Sequence, residues 1–214
     1  LQKNKVRRKV FMQQGLFITL EGIDGVGKTT QALLLKGELE RQGYSVLHTF
    51  EPGGTKLGSK IRSLLLNPEH EELHSMTEVL LYAADRAQHV AEKVLPALKD
   101  GKMVICERFI DSSIAYQGYG LGFEIEAIKT INHWAAGGLW PDLTVYLDGD
   151  PAQFLAKTKG DRIEQRTLDY YNRVRRGFLE IAQAEPDRVK VVSAEGTREA
   201  VSQRVLQALE GRCG

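Results

Sequence analysis

The chain has 214 residues, 42% apolar and 27% charged, which suits one full hydrophobic core and excludes disordered, collagen-like and disulfide-dense classes. The net charge is +1, but five Lys or Arg and no acid fall within the first eleven residues, LQKNKVRRKVF, leaving 24 basic against 28 acidic residues in the remainder. Basic character is therefore local, so no nucleic-acid partner is expected, and no apolar run reaches the length of a membrane span.

Residues 1–12 read as a disordered basic extension, upstream of or appended to a chain beginning at Met12, because the arm lacks the apolar stretch of a signal peptide and the Ser content of a transit peptide. Residues 13–214 read as a single domain. Leu16 to Leu20 has the composition of a buried strand, and EGIDGVGKTT follows it at 21–30. Gly22-x4-Gly27-Lys28-Thr29 fits the phosphate-loop pattern in its required place between strand and helix. Gly22, Gly25 and Gly27 allow the backbone to turn its N–H groups inward, and the following helix points its positive dipole end at the same spot. Lys28 is suited to the β- and γ-phosphates and the Thr29 hydroxyl to Mg²⁺. A nucleoside triphosphate is thus expected on Gly22, Ile23, Asp24, Gly25, Val26, Gly27, Lys28, Thr29 and Thr30.

Helical periodicity runs from about Lys28 to Gln42, and Ser45 to Phe50 reads as a second strand ended by Glu51-Pro52-Gly53-Gly54. Helices are expected at about 57–66 and 75–99, then a strand from Met103 to Cys106 with Glu107-Arg108 at its carboxyl end. Further helix is expected at 111–117 and 124–137, a fourth strand at Leu143 to Leu147, and a long helix from Gln165 to Ala184. A fifth strand at Val189 to Val192 and a helix from Thr197 to Glu210 close the chain. Strands alternating with helices predict an α/β fold, a five-stranded parallel sheet with helices on both faces, whose ligands gather at the strands' carboxyl ends.

Cys106 and Cys213 are far apart and form no metal or redox motif, which fits a reducing, cytoplasmic setting. His70-Glu71-Glu72-Leu73-His74 matches the H-E-x-x-H zinc pattern, but it follows Asn67-Pro68 and straddles a loop and a helix start near Ser75, so the two imidazoles need not share a face.

Four further segments should meet the phosphate loop: Glu51-Pro52-Gly53-Gly54-Thr55, Leu81-Tyr82-Ala83-Ala84-Asp85-Arg86, Glu107-Arg108 and Asp111-Ser112-Ser113-Ile114-Ala115-Tyr116-Gln117. With Asp161-Arg162-Ile163-Glu164-Gln165, they resemble the bacterial thymidylate kinases, from about Gly15 to the last helix. The resemblance implies the P-loop NTPase fold, Mg²⁺ and ATP as co-substrate, dTMP as acceptor, a cytoplasmic enzyme of dTTP biosynthesis, and a homodimer for which Leu80, Leu81 and the 75–99 helix are candidate surfaces. It implies a dTMP site of Asp24, Glu51, Pro52, Tyr82, Arg86, Arg108, Ser113, Tyr116 and Gln117, with Thr29 and Glu107 near the metal and Lys28, Arg108 and Arg162 as catalytic cations.

Chemistry supports several of these assignments. Arg108 can grip a dianionic phosphate with a bidentate fork, and a phosphate acceptor needs no general base. Tyr82 can stack on a pyrimidine, and Arg86, one helical turn later, can donate to a base carbonyl. By the resemblance, Asp24 contacts the sugar 3′-hydroxyl, Ser113 faces the base edge, and Tyr116 packs where a 2′-hydroxyl would protrude. Core packing for Tyr82 and structural ion pairs for Arg86 and Arg108 are the alternatives.

The chain departs from the family at Phe50, where many members have Arg, and at Glu107, where Asp is usual. It is also several residues short between Pro151 and Asp161, so the expected lid near 151–165 is a short one. Gly25 matches the bacterial branch, which has no arginine in its phosphate loop, and that resemblance implies that the lid supplies the transition-state cation, from Arg162 before Lys157 or Lys159. A deoxynucleoside kinase acting on thymidine shares Glu51-Pro52 and Glu107-Arg108. A GTPase switch shares Thr158-Lys159-Gly160-Asp161, but at the wrong distance from its strand.

Overall fold

The structure is a computed structural model that describes residues 15–154 and 160–212. Five strands, β1 (Phe17–Glu21), β2 (Val46–Phe50), β3 (Met103–Glu107), β4 (Leu143–Asp148) and β5 (Val189–Ser193), form one sheet in the order β2-β3-β1-β4-β5. Every pairing is parallel. All five residues of β1 and of β3 are buried, as continuous apolar runs are when helices cover both faces of a parallel sheet. Register decides what meets at the functional edge. Leu20 pairs with both Glu107 and Val145, and Phe50 pairs with Glu107, so β2, β3, β1 and β4 end nearly level.

The helices are α1 (Lys28–Arg41), α2 (Lys56–Leu66), α3 (Ser75–His89), α4 (Leu95–Lys99), α5 (Ile110–Ser113), α6 (Ile125–Ala135), α7 (Pro151–Phe154), α8 (Leu168–Ala184) and α9 (Arg198–Ala208). Thr55, Thr167 and Thr197 cap α2, α8 and α9 by accepting the N–H of Gly58, Tyr170 and Ala200. The helix expected over 75–99 is interrupted by a π-helical turn at Val90–Val94. Pro96, with no N–H to return to the preceding turn, is the second residue beyond it, and the wider turn accommodates it. The helix expected from Gln165 begins at Leu168 instead, because Asp161 Oδ1 accepts the N–H of Ile163 and Glu164 at 2.8 and 2.9 Å and winds the preceding residues into turns.

After α5 the chain continues as a π-helical segment, Ile114–Gly120, packed against α8. A Cβ on Gly120 would lie 2.6 Å from the Tyr170 ring, so only glycine permits that approach. Below the functional edge, Arg188 forks onto Asp111 at 2.7 and 2.8 Å while Thr144 donates to the same carboxylate, tying α5 to β4 and the start of β5. Phe17 meets Phe109 edge-on, with centroids 4.9 Å apart, a geometry worth roughly 0.5–1.5 kcal/mol beyond the area buried. These contacts fix the segment that carries Arg108. Among the described residues no helix is long and apolar enough to cross a membrane.

Candidate active site

Between β1 and α1 the backbone takes positive φ at Gly22, Gly25 and Gly27, with 140°, 81° and 95°. A Cβ at Gly22 would also lie 2.7 Å from the Leu147 carbonyl oxygen. Gly27 begins α1 with no side-chain cap and no acid in the first turn, so the helix presents N–H groups and a positive dipole end to an anion. Lys28 donates to the Gly22 and Ile23 carbonyls at 3.0 and 2.7 Å and lies 3.8 Å from Asp24. Burial, and then Arg108, lower its pKa to about 8. Ile23 and Val26 are buried in the core, whereas Thr29 and Thr30 are exposed along the phosphate pocket.

Thr29 donates to Glu107 Oε2 at 2.6 Å, and Glu107 Oε1 lies 2.8 Å from His48 Nε2. Burial works to raise the Glu107 pKa, but hydrogen bonds with His48 and Thr29 carry it below the ordinary value. A hydroxyl beside an ionised carboxylate, at the mouth of the phosphate pocket, is the hard-oxygen donor set that suits Mg²⁺ arriving with a nucleotide.

Arg108 follows β3 at φ 66°, a left-handed conformation uncommon outside glycine, and its guanidinium points back across the sheet edge. It donates to the Gly22 carbonyl at 2.9 Å and to Asp24 at 2.6 Å, and it lies 4.9 Å from the centroid of the Tyr116 ring. Burial opposes its charge, but Asp24, together with Tyr116 and Glu21, offsets this and keeps the pKa above that of a free arginine. Burial likewise opposes ionisation of Asp24, and Arg108 and Lys28 hold it down to about 2. Asp24, Arg62 and Arg108 line two adjoining pockets. One contains Gly25, Gly27, Lys28 and Thr29, and the other contains Pro52, Tyr82, Ser113, Tyr116 and Gln117.

The expected acceptor residues divide into two layers. Tyr82, Ser113, Tyr116, Gln117 and Pro52 line the second pocket, and burial followed by Glu78 raises the pKa of Tyr82, which stays neutral. The Tyr116 hydroxyl is buried with no hydrogen-bond partner among the described residues. Arg86 lies behind that pocket, and Glu51 lines the phosphate pocket instead. Arg86 Nε donates to Glu51 at 2.9 Å, Nη1 donates to Ser113 at 3.0 Å and to Asn132, and the guanidinium sits over Phe109. His89 Nδ1 meets the other Glu51 oxygen at 2.8 Å. Arg86 is 2% exposed and reaches the pocket through Ser113, not directly. The Glu51–Pro52 peptide is cis, and the Pro52 carbonyl accepts from Arg62 at 2.8 Å.

Arg162 is placed against α2 and α3. Its Nε donates to the Leu65 carbonyl at 2.8 Å and its Nη2 to Glu78 at 2.6 Å, and Arg166 shares the same Glu78 oxygen at 2.6 Å. Its neighbours Asp161 and Ile163 line the acceptor pocket. Lys157 and Lys159 lie outside the described residues. His74 caps α3, and His70, in the turns before it, faces Glu72 at 3.5 Å, so these two His share no helical face.

Arg62, His48 and Glu21 were not expected in the site. Arg62 lies between the buried Ile61 and Leu65, and its one legible signal was a cation on the helix after Glu51-Pro52-Gly53-Gly54. His48 was hidden in the alternation of β2, although the unusual Glu107 invited a search for a partner. Glu21 ends an apolar strand with a charge, a departure that marks a buried acid with a task.

Comparison with known proteins agrees with this geometry. A thymidylate kinase from a Synechococcus strain is 49% identical over 198 residues, covering 92% of this chain and 95% of that protein. The thymidylate kinase of Pelotomaculum thermopropionicum is 48% identical over 202 residues, covering 92% and 94%. The crystal structure of thymidylate kinase from Ehrlichia chaffeensis superposes with a TM-score of 0.77 at 37% identity, over 92% of this chain and 98% of that one, and it shares the P-loop NTPase fold. The family model described as thymidylate kinase matches residues 20–205, and the chain belongs to the thymidylate kinase family, enzymes that phosphorylate dTMP to dTDP for dTTP synthesis.

Proposed function

We propose that the two adjoining pockets hold ATP and dTMP with their phosphates meeting at Arg108. The observation that carries this reading is that Asp24, Arg62 and Arg108 line both pockets, so two guanidinium groups stand where donor and acceptor phosphates must approach. In the reaction a dTMP phosphate oxygen attacks the γ-phosphorus of ATP, the bond to the β-phosphate oxygen breaks, and ADP leaves with the electron pair. The nucleophile is already an anion, so the protein's task is alignment and charge stabilisation.

Lys28 and the N–H groups of the phosphate loop hold the donor phosphates, and Lys28 stabilises charge as the phosphoryl group moves. Arg108 and Arg62 grip the acceptor phosphate. Tyr82 stacks on the thymine ring, Ser113 and Gln117 face its polar edge, and Arg86, backed by Glu51, holds Ser113 in place. Tyr116 packs against the sugar and Asp24 reaches its 3′-hydroxyl. Thr29 and Glu107 are the residues that would hold Mg²⁺, which when bound neutralises phosphate charge. Arg162 supplies the lid cation from the segment 151–165. Residues 13–214 make one kinase domain that works in the cytoplasm, and the exposure of Met76 and Leu80 on α3 supports reading it as a homodimer.

The test presents thymidine and dTMP separately with saturating Mg-ATP. Turnover of dTMP to dTDP with none of thymidine is expected, and turnover of thymidine alone would overturn the assignment of the acceptor pocket.

A further inference from the structure

Glu21 closes β1 and is fully buried, immediately before the first glycine of the phosphate loop. Among the described residues it makes no ion pair. Its Oε1 accepts the N–H of Phe109 at 2.7 Å and of Ser112 at 3.4 Å, and its Oε2 accepts the Ser112 hydroxyl at 2.5 Å. The Ser112 oxygen in turn accepts from Arg108 Nη1 at 3.2 Å, the nitrogen that also reaches the Gly22 carbonyl. One carboxylate therefore holds Phe109 and Ser112, the segment that directly follows the left-handed Arg108, and its neighbour Gly22 is bonded by Arg108 itself.

An acid in such a place is costly. Burial and the nearby Asp111 push the Glu21 pKa up to about 7, against the opposing pull of Ser112, Arg108 and the Phe109 N–H. An apolar residue could finish the strand without that cost, but it would leave the Phe109 N–H and the Ser112 hydroxyl without their acceptor at the point where the backbone is strained. Glu21 lines neither pocket, whereas Ser112 and Arg108 both line the acceptor pocket, so its effect on the reaction passes through these two residues.

We propose that Glu21 is a positioning residue for the acceptor subsite, which clamps the Arg108–Ser112 turn to the root of the phosphate loop and so aims the Arg108 guanidinium at the acceptor phosphate. This rests on the reading of Arg108 as the phosphate grip. It also links the two substrates mechanically, since the strand end that carries the donor loop sets the orientation of the acceptor cation.

The experiment measures binding of dTMP and of a non-hydrolysable ATP analogue separately, by calorimetry, in Glu21→Gln, Ser112→Ala and Arg108→Ala. The amide of Glu21→Gln keeps one acceptor for Phe109 but can no longer accept the Ser112 hydroxyl on its other side. Weakening of dTMP binding by about tenfold, with the ATP analogue within about twofold, is expected. Ser112→Ala leaves the Phe109 bond intact and should give a smaller loss of the same selectivity, about three- to fivefold, which keeps the test open even where Glu21→Gln fails to fold. Unchanged dTMP affinity in the folded variants, or equal losses for both nucleotides, overturns the proposal. Arg108→Ala separates the two readings. Intact dTMP binding in that variant removes the grip and the positioning role together, whereas selective loss there without loss in Glu21→Gln removes the positioning role alone.

Discussion

Arg108 Nη2 donates to Asp24 Oδ1 at 2.6 Å, pairing the cation of the acceptor pocket with a carboxylate of the phosphate loop. The pair holds the guanidinium between the two pockets before any ligand arrives, and Asp24, with a pKa of about 2, remains ionised at every pH where the enzyme would be assayed. Arg108→Ala removes a charge-assisted fork whose loss is expected to lower kcat/KM for dTMP by about a hundredfold or more, with KM for ATP changed by less than about threefold. Steady-state kinetics with each substrate varied in turn checks this, and equal losses on both sides would assign Arg108 a structural role only.

Lys28 gives a prediction with a pH dependence. Its pKa of about 8 in the ligand-free protein means that the unfolded chain holds this proton more tightly between pH 8 and the ordinary 10.5, so ligand-free stability gains from deprotonation as pH rises through that window. Phosphates reverse the preference, because they favour the charged ammonium. Nucleotide binding at pH 8.5 should therefore take up a proton, and affinity should fall as pH rises above 8. Calorimetry in two buffers of different ionisation heat reads the uptake directly. Lys28→Ala should abolish both the uptake and phosphoryl transfer.

For Tyr82 the two substitutions should separate ring from hydroxyl. Tyr82→Ala is expected to weaken dTMP binding by about tenfold or more, the value of one base–aromatic stack, while Tyr82→Phe keeps most of it. A loss of equal size in both variants would show that the hydroxyl, and not the ring face, makes the contact.

Asp85 lies 1% exposed, with Oδ1 accepting the Gly53 N–H at 3.0 Å and Oδ2 without a partner among the described residues. Burial and then Glu51 raise its pKa from 3.8 to about 6, so the folded chain binds the proton more tightly in that window and stability falls as pH rises through it. Asp85→Asn keeps the acceptor and sheds the charge. The variant should be more stable than the parent at pH 8 by roughly 2–3 kcal/mol, with the difference vanishing toward pH 4. Denaturant unfolding at both pH values tests it, and a less stable variant at pH 8 would contradict the sign.

The lid assignment turns on Glu78, which is fully buried and shared by Arg162 and Arg166. Arg162 can leave without stranding a buried charge, because Arg166 remains on the same oxygen and Gln117 donates to the other at 3.3 Å. Arg162→Ala should then lower kcat by about tenfold or more, with little change in either binding constant, since a contact made only in the transition state affects turnover alone. Loss of turnover in a Lys157→Ala, Lys159→Ala double variant, with Arg162→Ala unaffected, would move the role to the lysines.

The phosphate loop and the parallel sheet were legible because their signals are local. Glycine spacing, the lysine beside it and the alternation of apolar runs with helical periodicity are set within a few residues, and the order of strands and helices then leaves few topologies. The helix limits near Pro96 and Thr167 were less legible, since a π turn and an Asp161-centred turn compete with the same periodicity.

What periodicity cannot give is which side of a residue meets which partner across the sheet. Arg108 finds Asp24 across 84 residues and Glu21 finds Phe109 across 88, and both depend on β1 and β3 ending level in the register. Resemblance supplied a list of residues for the acceptor site but no depth. Tertiary packing set Tyr82, Ser113 and Gln117 at the acceptor wall, put Arg86 one layer behind and Glu51 on the phosphate pocket, and brought in Arg62 and His48 from elements whose periodicity does not single them out. Motifs are written in the order of the chain, whereas a site that binds two nucleotides is assembled from strand ends, and only the closure of the sheet decides which of them meet.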